Sequence, residues 1–335
     1  MMNVFSDSSS FSFDAAPTDE FLHLRARAAG LTFCGCAHAV FLCKLAYSLR
    51  CSITSHTNRG PLASGGDGDL CVGILGMGHM GKQLLLSLLE KSGIKPSHIK
   101  ISTRRPESAV EFIQKGVECF FDNRRLAAWA DVLFLCCLPS QLPKVCADLH
   151  SHLPKHCLVY SFTSGVPVTR LSRLLGHDFI LKPQYDFVAC DAGDVWLSRT
   201  RLTQALTGPL EASCPLAMSG GISLGWNWVC AMLYSLLNIC TSASLGSSDA
   251  LSLINSILKE KRPHTVELNA HSFISASFAS SLTAEEPFPW ISLTDTQTKK
   301  TPLLCFLSSS KPLQQCISAA YKSLLGTPAK LPVTL

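Results

Sequence analysis

Gly76, Gly78 and Gly81, spaced G-x-G-x-x-G within "LCVGILGMGHMGKQLLLSLLEK" (70–91), are the residues of this chain with the plainest chemical use. The pattern suits a dinucleotide diphosphate. Gly76 allows a tight turn, Gly78 lets a pyrophosphate approach the backbone, and Gly81 lets helix and strand pack closely. Main-chain N–H groups around Met77, His79 and Met80 would meet the phosphates at the positive end of the following helix. The His79 ring itself is as well suited to solvent as to phosphate.

The next chemically loaded stretch is "STRRPES", which follows the apolar run "HIKIS" (98–102). A nucleotide without a 2′-phosphate usually meets an Asp or Glu here, roughly 20 residues beyond the glycines. This chain offers Ser102, Thr103, Arg104 and Arg105, with no acid before Glu107. Guanidinium and hydroxyl groups attract a phosphate where a carboxylate would repel it. The cofactor expected is therefore NADP rather than NAD. The competing reading is a solvated Arg pair in a surface turn.

Elements must position these groups. "CVGIL" before Gly76 is a continuous apolar run, as in a parallel strand buried on both faces, and "KQLLLSLLEK" after Gly81 is strongly helix-forming. Helices are expected over 109–116, over 122–130 with Asp122 or Asn123 at the cap, over 142–153 and over 168–176. Strands are expected over 131–138, 157–162 and 178–183. This alternation predicts an α/β fold, a Rossmann-type doubly wound parallel sheet over residues 70–187. A smaller, mainly α-helical domain is expected over 188–335.

That second part contains a long apolar stretch, 222–245, suited to a domain core or a subunit interface. Helices are expected over 249–261 and 312–326, and a surface loop over 283–302. Residues 1–69 read as an extension: a serine- and acid-containing start, one docked helix within 24–50, and a linker over 52–69. The helix is interrupted by His38 and ended by Lys44, short of a clean apolar span of ~20 residues, so no membrane partner is expected.

Composition narrows the class. Apolar residues make up 47% of the 335 and charged residues 16%, with a net charge of +5. Basic residues are scattered apart from runs such as "KEKR" (259–262), so no nucleic-acid footprint is expected. The 16 cysteines show no paired CxxC spacing and many sit in apolar runs, as small hydrophobes do. They favour a reducing compartment, and the cytoplasm is expected. Asp7, Asp14, Asp19 and Glu20 argue against a mitochondrial leader without closing that compartment. No metal site is expected: Asp186, Asp191 and Asp194 fit no ligand spacing.

Three stretches in order resemble pyrroline-5-carboxylate reductase, a two-domain NAD(P)H enzyme. They are "VGILGMGHMG", "ADVLFLCCLPSQLPKV" and "VYSFTSGVPVTRL". The resemblance implies that Cys137, Leu138 and Pro139 at one strand end, and Ser161, Thr163 and Gly165 at the next, face the cofactor. Hydroxyacid dehydrogenases with a G-x-G-x-M-G turn are the nearest competitor, and Gly81 suits them, but "SFTSGVP" fits the reductase better.

Departures are equally specific. Leu138 stands where the reductases generally have Lys, "LKPQYDF" (181–187) lacks their Asn-Thr-Pro, and only "SGG" (219–221) is reminiscent of their substrate-binding helix start. No catalytic residue is carried over. Ser161, Thr163 and Ser164 have a competing use in local turn hydrogen bonds, and Lys182 and Tyr185 either line the same crevice or cover it. Hydride transfer asks little more than alignment and a dry pocket. The activity expected is NADPH-dependent reduction of a small imine or carbonyl compound. The alternative is an NADP-binding protein without turnover. In the resembled family, helices of the second domain interlock between subunits, which implies a homodimer.

Overall fold

A computed structural model describes residues 19–57, 69–188, 193–197, 207–259 and 267–326. The serine- and acid-containing start up to residue 18, the linker from 58 to 68, Asp191 and residues 260–262 lie outside the described residues.

Six parallel strands form the central sheet: β1 (Val72–Leu75), β2 (Ile99–Ser102), β3 (Glu118–Phe120), β4 (Val132–Leu135), β5 (Leu158–Ser161) and β6 (Ile180–Leu181). Their order is β3-β2-β1-β4-β5-β6. Val72 aligns with both Ile99 and Val132, so β1 is central. Its neighbours lead off in opposite directions, which opens a crevice beyond the carboxyl ends of β1 and β4. This is the expected Rossmann-type sheet. Strands β1, β4 and β5 are buried throughout, as their unbroken apolar runs require.

Helices connect the strands: α2 (His79–Lys91), α3 (Val110–Ile113), α4 (Asn123–Trp129), α5 (Leu142–Leu149) and α6 (Val168–Leu175). Asp122 caps α4, accepting the Arg125 N–H at 2.9 Å. The expected helix over 109–116 is shorter, a 3-10 turn over Pro106–Ala109 followed by α3, and the chain reverses at Gly116 with φ +92. The helix expected over 142–153 stops at Leu149; Ser151 then adopts a left-handed φ of 66.

The N-terminal helix α1 (Asp19–Thr57) is longer and deeper than expected. It does not give way to a linker at residue 52. Ser52, Thr54 and Ser55 return their hydroxyls to the carbonyls of Ser48, Arg50 and Cys51 four residues back, which keeps a polar stretch helical. Its span Phe21–His56 has the length and composition of a membrane-crossing helix, and 72% of its most apolar window is buried inside the protein. His38 is fully buried there. Its Nδ1 lies 2.6 Å from the Tyr185 hydroxyl and its Nε2 lies 2.7 Å from the Ser213 carbonyl. Burial lowers its pKa to about 4, so the ring is neutral, donating to Ser213 and accepting from Tyr185.

Beyond the sheet, β7 (Tyr185–Phe187) pairs antiparallel with β8 (Ile222–Leu224), and α7 (Gly193–Leu197) and α8 (Thr207–Ala212) lie between them in sequence. Then come α9 (Trp226–Ser242), α10 (Ser247–Lys259), α11 (Ala270–Phe273), α12 (Ala276–Ser281), α13 (Leu293–Thr298), α14 (Pro302–Ser309) and α15 (Lys311–Gly326). The apolar stretch 222–245 supplies β8 and α9, and α9 is buried along most of its length against α1, α10, α13 and α14.

Residues 283–302 are a surface loop only at their start, where 283–287 are exposed and irregular. Phe288 and Leu293 are buried, Ser292 caps α13, and Gln297 runs along the outer edge of β6. Its Nε2 donates to the Ile180 carbonyl at 2.7 Å and its Oε1 accepts the Lys182 N–H at 2.9 Å. One amide side chain thus satisfies the open edge that a seventh strand would have covered. The cysteines of the described residues are free and mostly buried. Burial pushes thiols such as Cys36 and Cys146 up to about 12, which suits small apolar packing groups.

Candidate nucleotide-binding site

The crevice between β1 and β4 is a cavity of about 1120 Å³. That exceeds the ~300–1,000 Å³ usual for drug-sized ligands. Gly76, Met77, Gly78, His79 and Met80 line it from the turn, Ser102, Thr103, Arg104 and Arg105 from the end of β2, and Cys137 and Leu138 from the end of β4.

The glycines differ in what constrains them. Gly76 has φ +100, and a Cβ there would sit 3.1 Å from the Cys136 carbonyl oxygen; its N–H is tied to Ser102 O at 2.9 Å. Gly81 is buried and does not line the cavity. A Cβ on it would lie 2.0 Å from the Gly76 carbonyl oxygen, so its absence brings α2 against the turn. Gly78 has an ordinary φ of −74 and open space around it: nothing lies within 4 Å of an added Cβ. Neither conformation nor packing requires glycine there, and the free space belongs to the cavity. Gly78 also caps α2 without a side-chain bond, and the first turn holds no acid. The N–H groups of that turn thus face the cavity mouth unpaired.

At the end of β2, the expected roles divide. Ser102 is buried and its hydroxyl is spent, donating to Asn123 Oδ1 at 2.8 Å; Asn123 in turn donates to Asp148 Oδ2 at 3.0 Å. Thr103 gives its N–H to Phe120 O at 2.8 Å, fixing the loop while its side chain stays accessible. Arg104 and Arg105 are exposed and make no ion pair among the described residues. No carboxylate follows directly on β2 to meet a ribose.

Four expected residues stand apart from the cavity besides Gly81. Pro139 heads the 3-10 turn Pro139–Gln141, and its neighbours Leu138, Ser140 and Gln141 do the lining. Ser161 is buried and its Oγ accepts the Thr163 N–H at 3.2 Å, a local turn bond. Thr163 is buried with its own hydroxyl unpaired, and Gly165 is exposed with nothing within 4 Å of an added Cβ. The turn after β5 closes on itself and lies beside the cavity rather than in it.

Thr32, Phe121, Asn123, Lys144 and Asp148 line the cavity without having been foreseen. Thr32 comes from α1, more than forty positions before the glycine turn. Phe121 and Leu138 stand 62% and 64% exposed at the rim, two apolar faces that solvent does not favour. The half-buried Cys136 and Cys137 thiols are held neutral by burial, which raises both. They offer bulk, not nucleophiles.

The family described as NADP oxidoreductase coenzyme F420-dependent matches residues 71–165. The chain is similar to NADP-dependent oxidoreductase domain-containing protein 1 of Mus musculus, 39% identical over 345 residues, covering 97% of this chain and 94% of that protein. Pyrroline-5-carboxylate reductase of Escherichia coli strain K12 is 33% identical over 108 residues, covering 32% of this chain and 40% of that protein. Among solved structures, a pyrroline-5-carboxylate reductase from Coxiella burnetii is 18% identical with a TM-score of 0.33, covering 77% of this chain and 99% of that one.

Proposed function

The chain belongs to the family of NADP-dependent oxidoreductase domain-containing protein 1, and from that membership we propose that it binds NADPH in the β1–β4 crevice and reduces a small imine or carbonyl compound. The observation that carries the nucleotide is Gly78: a glycine demanded by neither backbone nor neighbours, at an uncapped helix start, beside a cavity of about 1120 Å³. The residues fit NADP in particular. Arg104 and Arg105 would hold the 2′-phosphate, the N–H groups of residues 78–80 the diphosphate, and Phe121 and Leu138 would flank a planar base at the rim.

Bound NADPH supplies the hydride. The chain's own part is to align that cofactor and to keep water from it, and the neutral thiols of Cys136 and Cys137 with Met77 and Met80 make an apolar inner wall suited to both. The cytoplasm is the compartment proposed, on the number of free thiols.

Fluorescence titration tests the nucleotide. The wild-type chain is expected to prefer NADPH over NADH, and Arg104→Ala/Arg105→Ala to weaken NADPH about ten- to a hundredfold while leaving NADH unchanged. Equal affinity for the two nucleotides in the wild-type chain would remove the NADP assignment. Turnover is tested separately, by NADPH consumption with a panel of cyclic imines and small ketones. Binding without consumption across that panel would establish the alternative, a nucleotide-binding protein without turnover.

A further inference from the structure

We propose that Lys144 is the opposite jaw of the 2′-phosphate site: from α5 its ammonium closes on the phosphate that Arg104 and Arg105 hold from the end of β2, and so it helps to set the preference for NADPH over NADH. The role presupposes NADPH in the β1–β4 crevice, and it adds the residue that faces the two arginines across it.

Hydrogen bonds tie the two walls together. Ser102 ends β2, and its hydroxyl donates to Asn123 Oδ1 at 2.8 Å; Asn123 Nδ2 then donates to Asp148 Oδ2, on α5, at 3.0 Å. The direction of this chain is fixed by chemistry. A carboxylate only accepts, so it draws the amide nitrogen and leaves the amide oxygen to the hydroxyl. One asparagine side chain thus spans from the end of β2 to α5. From these two anchors the walls continue toward the carboxyl end of the sheet. Arg104 and Arg105 follow Ser102 by two and three residues. Lys144 precedes Asp148 by about one helical turn, roughly 6 Å of rise, toward the end of α5 that receives the chain from β4. All three cations line the cavity.

Their charges are unspent. Lys144, Arg104 and Arg105 are exposed and form no ion pair among the described residues. Lys144 and Asp148 stand at the i,i+4 spacing at which helix ion pairs form, as Asp295 and Lys299 do at 3.0 Å. Asp148 bonds Asn123 instead, which leaves the Lys144 ammonium to the cavity. Three like charges around one space repel one another and draw in an anion. The diphosphate is held at residues 78–80, beside β1, so the anion at the β2 end is the ribose 2′-phosphate. A dianion gripped from both walls gains charge-assisted hydrogen bonds that NADH has no group to make.

Fluorescence titration of the full chain with NADPH and NADH reads the role as a ratio of affinities. Lys144→Met is expected to weaken NADPH about tenfold and NADH less than about twofold. Lys144→Arg should keep most of the preference, and Lys144→Glu should weaken NADPH about a hundredfold. Adenosine 2′,5′-bisphosphate, used as a competitor, should lose affinity in Lys144→Met as NADPH does, whereas AMP should not. Lys144 is exposed, so the melting temperature should be unchanged in all three variants. A preference for NADPH that is lost in Arg104→Ala/Arg105→Ala but kept in Lys144→Met would overturn the role of Lys144 and leave the nucleotide site standing. Equal weakening of NADPH and NADH in Lys144→Met would also overturn it, by placing the ammonium on a group that both nucleotides carry. A wild-type chain without preference between the two would overturn the lysine and the arginines together.

Discussion

Gly78→Ala is expected to weaken NADPH binding at least a hundredfold while leaving the fold within about 1 kcal/mol of wild-type stability. The two halves of that statement come from one measurement. A Cβ at Gly78 meets no protein atom within 4 Å, so the added methyl strains nothing. Its φ of −74 is ordinary for alanine, and the only structural change is a slightly poorer helix cap. The methyl does enter the volume where a diphosphate must touch the backbone. A hundredfold loss corresponds to about 2.7 kcal/mol, a reasonable penalty for holding a charged group one methyl away from its donors.

Gly81→Ala should behave differently. Its Cβ would overlap the Gly76 carbonyl at 2.0 Å, so α2 must back away from β1. Both the melting temperature and NADPH affinity should fall, the first by the 1–3 kcal/mol typical of overpacking. Thermal melts and fluorescence titrations of the two variants check the contrast. Wild-type NADPH affinity in Gly78→Ala would mean that no diphosphate lies on this turn.

The contrast also shows which parts of the site could be read from sequence. The glycine turn is a compact device: the constraints on Gly76 and Gly81 come from the turn itself and the adjoining ends of β2 and β4. The strands β1, β4 and β5 were equally legible, because a strand covered on both faces needs an unbroken apolar run. The rest depends on partners far along the chain. Thr32 reaches the cavity only because α1 folds back over the sheet, and Asn123 and Asp148 matter through a hydrogen-bond chain from Ser102. Their residue types alone say nothing of this.

Polar stretches misled for a related reason. Serines and threonines over 52–57 suggest a linker, but they satisfy their hydroxyls within the helix. The sequence "LTDTQT" looks solvent-exposed, yet Gln297 hydrogen-bonds the edge of β6, and no local pattern announces that contact. Strand β3 is three half-buried residues long, too short to show periodicity. At Ser161 the sequence allowed both a cofactor contact and a turn bond, and the structure shows the turn bond.

The same long-range logic makes α1 an integral part of the nucleotide domain, and Asp131→Ala is expected to cost about 3–5 kcal/mol for that reason. Asp131 precedes β4 and is 5% exposed; its Oδ1 lies 2.8 Å from Arg50 Nη1 on α1, and the Arg50 side chain is 10% exposed. Its Oδ2 also accepts the Cys71 N–H at 2.9 Å, at the entry to β1. Removing the carboxylate strands a buried guanidinium, whose Nε already lacks a partner, and orphans the N–H that starts the central strand. Arg50→Met should cost less, since Asp131 keeps the Cys71 bond and has His156 Nε2 at 3.9 Å.

The double variant Arg50→Met/Asp131→Ala removes both charges and should be less destabilised than the sum of the single changes. Denaturation of the full chain by urea, followed by tryptophan fluorescence, measures all three. The ion pair sits at the amino end of β1 and β4, opposite the glycine turn, so NADPH should still bind folded Asp131→Ala. Nucleotide at a hundred times its dissociation constant should then restore about 2.7 kcal/mol. If Asp131→Ala melts as the wild type does, α1 is held by its apolar face alone. If it is destabilised but NADPH restores nothing, the amino end of the sheet and the nucleotide crevice do not fold as one unit.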